Sequence, residues 1–215
     1  MRALQIWTLA ARPKTLVAGI APACTGAVLA MTEGFFSPLL FLFTILTGML
    51  IQISSNLTND YFDCVKGADT ATRKGFLRVT QAGLIPPYSM RRGILLTSTL
   101  VVISGAYLVF VGGFGIGLML SLYLLFSLLY TAGPYPLAYL GLGDLLVLVL
   151  YGPGAVLITY FLQTHTLSTT ATLAGLSLGT LSTTMLAINN LRDIEEDRAT
   201  GHSVVIPPRL RQICI

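Results

Sequence analysis

Charge is scarce in this chain, and that scarcity excludes most soluble folds. Lys and Arg number 13 and Asp and Glu 9 among 215 residues, a 10% share against roughly 25% in ordinary soluble domains. Histidine is almost absent. His165 and His202 are isolated, so neither a histidine metal site nor a nucleophilic triad has its parts. Cys24, Cys64 and Cys214 are odd in number and lack paired spacing, which argues against a disulfide framework or a zinc site. No basic patch interleaved with aromatics occurs, so nucleic acid is not an implied partner. There is no low-complexity tract, and no internal repeat beyond an echo between two Asn/Asp clusters.

What fills the chain instead is apolar. Hydrophobic residues make up 54% and the mean hydropathy is +0.77, the composition of an integral membrane protein. Uncharged runs extend over 15–32, 34–59, 93–143 and 145–191. A span needs about 20 residues, so the last two runs each hold two helices. Six transmembrane helices are predicted, at 14–31, 38–62, 93–111, 115–132, 143–162 and 170–191, with turns at Gly112-Gly113, Gly133-Pro134 and Gln163 to Ser168. The N-terminal run is read as the first span, because no small-residue cleavage site precedes a soluble domain. With six spans all 13 Lys and Arg fall on one side of the membrane. The positive-inside rule then places both termini and the long second loop in the cytoplasm. The net charge of +4 is thus a topology signal.

Two polar clusters interrupt this pattern. If Leu50 to Cys64 is one helix, Asn56, Asn59, Asp60 and Asp63 recur at three and four residues and share a face. Carboxylates at a helix C-terminal end are disfavoured by the helix dipole unless a cation compensates. The cations Lys66, Arg73, Lys74 and Arg78 follow as a separate group. Asn189, Asn190, Asp193 and Asp197 repeat the arrangement near the end of the apolar portion. Oxygen donors of this kind suit Mg²⁺, which is usually held by one or two carboxylates together with substrate phosphate oxygens. The expected ligand is a diphosphate. The bland alternative is a pair of solvated, capped helix ends.

The remaining features are less specific. Arg12, Pro13 and Lys14 lie just before the first span; they read either as a headgroup anchor or as a contact to an anionic substrate. Gly19, Pro22 and Gly26 would allow close packing or a kink in the first helix. The turn after helix four, rigidified by Pro134 and Pro136, carries Tyr130, Tyr135, Tyr139 and Asp144. Its tyrosines are belt residues, or ring faces that stabilise a developing cation. Thr180, Ser182, Thr183 and Thr184 read as helix-packing glue or as a cavity lining.

Four segments together carry a family resemblance: RPKT at Arg12–Thr15, NDYFDCVKGAD at Asn59–Asp69 followed by LRVTQAGLI, GPYPLAYLGLGD ending at Asp144, and NNLRDIEEDRATG from Asn189. Over about residues 8–202 the chain resembles the UbiA-type intramembrane aromatic prenyltransferases, and within them the 1,4-dihydroxy-2-naphthoate branch of menaquinone synthesis. The resemblance implies an all-α bundle of nine membrane helices. It also implies Mg²⁺-dependent transfer of a polyprenyl chain from its diphosphate to an aromatic acceptor, at the cytoplasmic face of the cell's inner membrane. Family motifs Asn-x-x-x-Asp-x-x-x-Asp and Asp-x-x-x-Asp fall on Asn59 and Asp63, then on Asp193 and Asp197. Residue 67 is glycine, so the third position of the first motif passes to Asp69, two residues late. Metal binding is expected at Asn59, Asp60, Asp63, Asp69, Asp193 and Asp197. Catalysis is expected at Asp63, Asp193, Asp197 and Tyr139, and substrate binding at Arg12, Asn56, Lys66, Arg73, Arg78, Gln81, Tyr130, Tyr135 and Asn190.

Six helices fall short of nine, and 203–215 departs from the family pattern, with Pro207-Pro208 breaking any helix there. The expected organisation is therefore an incomplete prenyltransferase domain over 1–202 followed by an aberrant tail. Three readings remain open at this point: an active enzyme making demethylmenaquinone, a non-catalytic remnant of one, and a small cation-coupled transporter. Homogentisate, 4-hydroxybenzoate and haem are the alternative acceptors. Prenyl chain length and oligomeric state have no signature.

Overall fold

The computed structural model describes the backbone of residues 2–66, 77–132 and 143–199, and the side chains of all of these but 66 and 192–199. Regular structure among the described residues is helical throughout. In chain order the helices are α1 Ala3–Ala11, a 3₁₀ turn Pro13–Thr15, α2 Val17–Thr32, α3 Pro38–Lys66, α4 Pro87–Gly112, α5 Phe114–Leu129, α6 Gly143–Val149, a π turn Leu150–Gly154, α7 Ala155–Thr164 and α8 Thr169–Ala199. Four segments are long and apolar enough to cross a membrane: Pro38–Val65, Pro87–Gly112, Gly143–Thr164 and Thr169–Leu191. Only 17–33% of their span-length windows is buried, so most of their apolar surface faces outward, as lipid requires.

The other two expected spans differ from the prediction. Ala3–Thr15 and Val17–Thr32 form one pair bent by 50°. The bend has a local cause: Arg12 takes a left-handed backbone (φ 50) and Pro13, lacking an N–H, opens the next turn. The α5 helix has 16 residues and rises about 24 Å, short of the roughly 30 Å hydrocarbon core. A further departure is α4, which begins at Pro87 rather than at 93. Its first turns carry Arg91 and Arg92, because charge at a membrane helix end does not stop the helix.

From α3 to α5 successive helices reverse direction, so α3 ends where α4 begins and where α5 ends. The α3 helix is central and packs against α2, α4 and α5. Hydroxyl pairs tie it to α4, Thr47 to Ser104 at 2.9 Å and Ser54 to Ser98 at 3.0 Å. Glycines permit the close crossings. A Cβ on Gly19 would stand 2.9 Å from the Gly48 carbonyl oxygen, and one on Gly26 2.5 Å from that of Val156; Gly19 and Gly26 thus serve packing. The π turn was not anticipated. Gly152 is non-helical there (φ −105, ψ −114), and a Cβ on it would meet the Gly175 carbonyl oxygen of α8 at 2.7 Å. Of the polar residues on α8, Thr180 and Thr184 bond, among the described residues, within their own helix, while Thr183 also reaches the Asp144 carbonyl on α6 at 3.4 Å.

Candidate active site

The polar end of α3 is where several elements converge. Asp60 is wholly buried, and its two carboxylate oxygens accept the backbone amides of Val79 at 3.0 Å and Thr80 at 2.9 Å. This clamps the segment after the second loop onto the helix. Val79 secures it from the apolar side, packed with Ala10, Leu57, Ile85 and Met90. Backbone bonds from Ala82 to Arg78, Gly83 to Thr80 and Leu84 to Val79 then close a compact turn, with Gly83 at φ 69. Arg78, between the anchored residues and its predecessor Leu77, forms a buried ion pair with Asp63. The cation that the helix dipole argument demanded at this carboxylate is thus present.

A second approach comes from the N-terminus. The Asn56 amide nitrogen donates to the Ala11 carbonyl and to the Thr15 hydroxyl, each at 2.8 Å, and so holds both ends of the Arg12-Pro13-Lys14 turn. The Asn56 oxygen accepts from Gln52 at 3.4 Å, and the Tyr151 hydroxyl donates to Gln52 Oε1 at 2.8 Å. Nearby, the Tyr123 hydroxyl donates to the Leu150 carbonyl of the π turn, which also accepts from the Ala155 amide. Thr131, just past α5, donates to Asn59 Oδ1.

The expected residues divide accordingly. Asn59, Asp63 and Arg78 come together at the end of α3, and Arg12 is half-buried in the turn tied to Asn56. Tyr130 caps α5 beside Gly143, where a Cβ would lie 3.2 Å from its hydroxyl. Gln81 is exposed at the tip of the turn after Arg78. Asn190 is half-buried on α8. Thr183 of α8 reaches the Asp144 carbonyl, next to the Gly143 that lies against Tyr130, so α8 passes the end of α5 before reaching Asn190. The backbone of Asp193 and Asp197 continues that helix, and the backbone of Lys66 ends α3. Asp69, Arg73, Lys74, Tyr135 and Tyr139 lie outside the described residues. Asp60 and Asn56, expected as a metal ligand and a substrate ligand, bond among the described residues to the protein's own backbone, to Thr15 and to Gln52.

Gln52, Tyr151, Thr131 and Thr15 were not expected here. Gln52 had a readable signal, a lone amide four residues before Asn56 in an apolar helix. For Tyr151 the signal was the Gly152-Pro153-Gly154 break that follows it. Among the described residues no group of three His, Cys, Asp or Glu side chains surrounds a metal position. The donors that Asn59 and Asp63 present are all oxygen, the chemistry that a hard cation such as Mg²⁺ takes.

The sequence pattern of the UbiA prenyltransferase family matches residues 19–211. The chain belongs to the UbiA prenyltransferase family. It is 40% identical over 211 residues to the 1,4-dihydroxy-2-naphthoate octaprenyltransferase of Escherichia coli (strain K12), covering 94% of this chain and 68% of the relative. The protein of the same name from Haemophilus influenzae is 37% identical over 216 residues, 94% of this chain and 68% of the relative. That of Bacillus subtilis (strain 168) is 32% identical over 200 residues, with shares of 93% and 64%. The family match takes in α2 to α8, and hence Asn59, Asp63, Arg78 and the backbone of Asp193 and Asp197. With its apolar helices, this UbiA family member is an integral membrane protein.

Proposed function

We propose that the chain transfers a polyprenyl group from polyprenyl diphosphate to 1,4-dihydroxy-2-naphthoate with decarboxylation, giving demethylmenaquinone in its reduced, quinol form. The observation that carries this reading is the 40% identity, over 94% of the chain, to an octaprenyltransferase named for that acceptor. The buried Asp63–Arg78 pair at the end of α3 supports it: an anion and a cation side by side can exchange partners with a metal and a phosphate.

Asn59 and Asp63, with Asp193 and Asp197 from α8 and Asp69 from the second loop, are the residues that would hold Mg²⁺. When bound, Mg²⁺ supplies positive charge that stabilises a departing diphosphate. Arg78, Arg12, Lys66 and Arg73 bind the diphosphate oxygens, with Gln81 and Asn190 at the margin. The allylic C–O bond breaks, and its electron pair leaves with the diphosphate. The aromatic rings of Tyr130, Tyr135 and Tyr139 are the groups that would stabilise the allylic cation. The acceptor carbon that bears the carboxylate attacks, and carbon dioxide leaves, returning its electron pair to the ring. No side-chain nucleophile takes part. In this reading the acidic motifs and the N-terminus face the cytoplasm, because all 13 Lys and Arg then lie on one side.

The test is an assay of membranes containing this chain, given Mg²⁺, radiolabelled farnesyl or longer polyprenyl diphosphate, and 1,4-dihydroxy-2-naphthoate. Labelled lipid-soluble quinol and release of carbon dioxide are expected. Label appearing only on homogentisate or 4-hydroxybenzoate would reassign the acceptor. No transfer to any of them, at a protein level where the Escherichia coli relative is active, would overturn the reaction.

A further inference from the structure

The polar face of α3 holds two neighbouring rows of side chains, each spaced at four residues. Gln52, Asn56 and Asp60 form one, and Asn59 and Asp63 the other. At 100° per residue, the Asn56–Asp60 pair points about 60° away from the Asn59–Asp63 pair on the last two turns. Spacing alone does not separate them, but their partners do.

The first row is committed to the protein itself. Both Asn56 amide hydrogens are used, on the Ala11 carbonyl and Thr15, and its oxygen accepts from Gln52. Gln52 in turn accepts from Tyr151 at the break between α6 and α7. Asp60 has both oxygens on the Val79 and Thr80 amides and no exposed surface. Backbone partners of this kind cannot swing away without unfolding the segment they belong to. In the second row the partners among the described residues are the side chains of Thr131 and Arg78, which can rotate to other ligands.

We propose that Gln52, Asn56 and Asp60 are positioning residues, fixing the helix break, the Arg12 turn and the Arg78 segment about a ligand row made by Asn59 and Asp63. This rests on the prenyl diphosphate site proposed above. It removes Asp60 from the metal ligands, although Asp60 is the more deeply buried of the two acids on α3. It also gives the Arg12 turn and the Arg78 segment one common frame. Each is tied to α3 within a turn of the ligand row, so a shift of α3 carries both cations with it.

The experiment measures Mn²⁺ alone, as the paramagnetic stand-in for Mg²⁺, binding to the purified full chain in nanodiscs by loss of the free-ion resonance signal. The chain is expected to bind Mn²⁺, and Asp63→Asn to lower the affinity about tenfold or more by removing a ligand charge. Asp60→Asn is expected to stay within about twofold of the parent while amide exchange at Val79 and Thr80 accelerates, because the clamp rather than the ligand set is lost. Equal loss of Mn²⁺ affinity in Asp60→Asn and Asp63→Asn would overturn the division into rows. No Mn²⁺ binding by the parent, or an unchanged affinity in Asp63→Asn, would overturn the site itself and the division with it. Should Asp60→Asn fail to fold, Tyr151→Phe probes the same row by deleting one hydroxyl. Raised KM for polyprenyl diphosphate at unchanged Mn²⁺ affinity supports the proposal; an affinity as low as that of Asp63→Asn overturns it.

Discussion

The two ends of the bundle solve the same problem with different chemistry. At the end where α2 stops and α3 starts, connections are short and each polar clasp is made by an uncharged side chain, Tyr160 or Gln163. The Tyr160 hydroxyl donates to the Glu33 carboxylate at 2.5 Å, and Gln163 joins both the amide and the carbonyl of Ser37, at 2.7 and 3.2 Å. At the other end α3 finishes among longer connections, and Asp63 is buried against Arg78. A buried ion pair is weak evidence for stability, since desolvating both charges offsets most of their attraction. Neutral clasps would hold helices there equally well. The charged pair that stands there instead is the feature on which the proposed exchange of partners with a charged ligand rests.

The comparison breaks most sharply at Asp63. Asp63→Asn keeps the shape but removes the charge, and prenyl transfer is expected to fall by about a hundredfold or more, the scale seen when a group stabilising developing charge is lost. Retained activity in that variant, measured by the labelled-diphosphate assay, would mean the two ends are alike. A packing change away from both ends gives the next largest effect, on stability. A side chain on Gly26 would run into the Val156 carbonyl at 2.5 Å and the Thr159 Cβ at 2.8 Å. Gly26→Val should therefore cost about 3 kcal/mol through overpacking, read as a lower unfolding midpoint in detergent. A smaller shift than that of Tyr160→Phe would show that α2 and α7 can separate without penalty.

The sequence made the ends distinguishable before any coordinates. Charge appeared only beside certain spans, and Asn59, Asp63, Asp193 and Asp197 repeated at helical spacing. Spacing reports which residues share a face, and it does so reliably because helix geometry is fixed. It does not report which backbone groups approach that face. Asn56 and Asp60 were therefore read with the ligands, and nothing in their spacing announces the bonds to the turn at 11–15 and the segment at 79–80. The break at Gly152-Pro153 was written in the sequence, but a Gly-Pro pair in an apolar run reads equally well as a tolerated kink. Only its packing against Gly175 shows that the break is where α8 fits.

Two milder changes sharpen the contrast from each side. At the charged end, Arg78→Lys keeps the cation but loses the planar fork that binds carboxylate or phosphate through two hydrogen bonds. The KM for polyprenyl diphosphate should rise about tenfold, by about 1.4 kcal/mol, with the Val79 and Thr80 amides still protected by Asp60. An unchanged KM would mean that Arg78 serves only to neutralise Asp63.

At the neutral end, Tyr160→Phe removes one hydroxyl from a residue that is otherwise 2% exposed. Its partner Glu33 is exposed and regains water as the bond is lost, so the cost is that of a net hydrogen bond, about 1 kcal/mol, rather than that of a stranded charge. The unfolding midpoint should drop slightly while KM and kcat stay as they were. A change in KM for the diphosphate would show that the ends are coupled through α7 and the break at Leu150–Gly154, which joins Tyr151 to Gln52 and so to the row that holds the Arg12 turn. Unaltered kinetics would instead confine that row's reach to the charged end, where all of its partners but Tyr151 already lie.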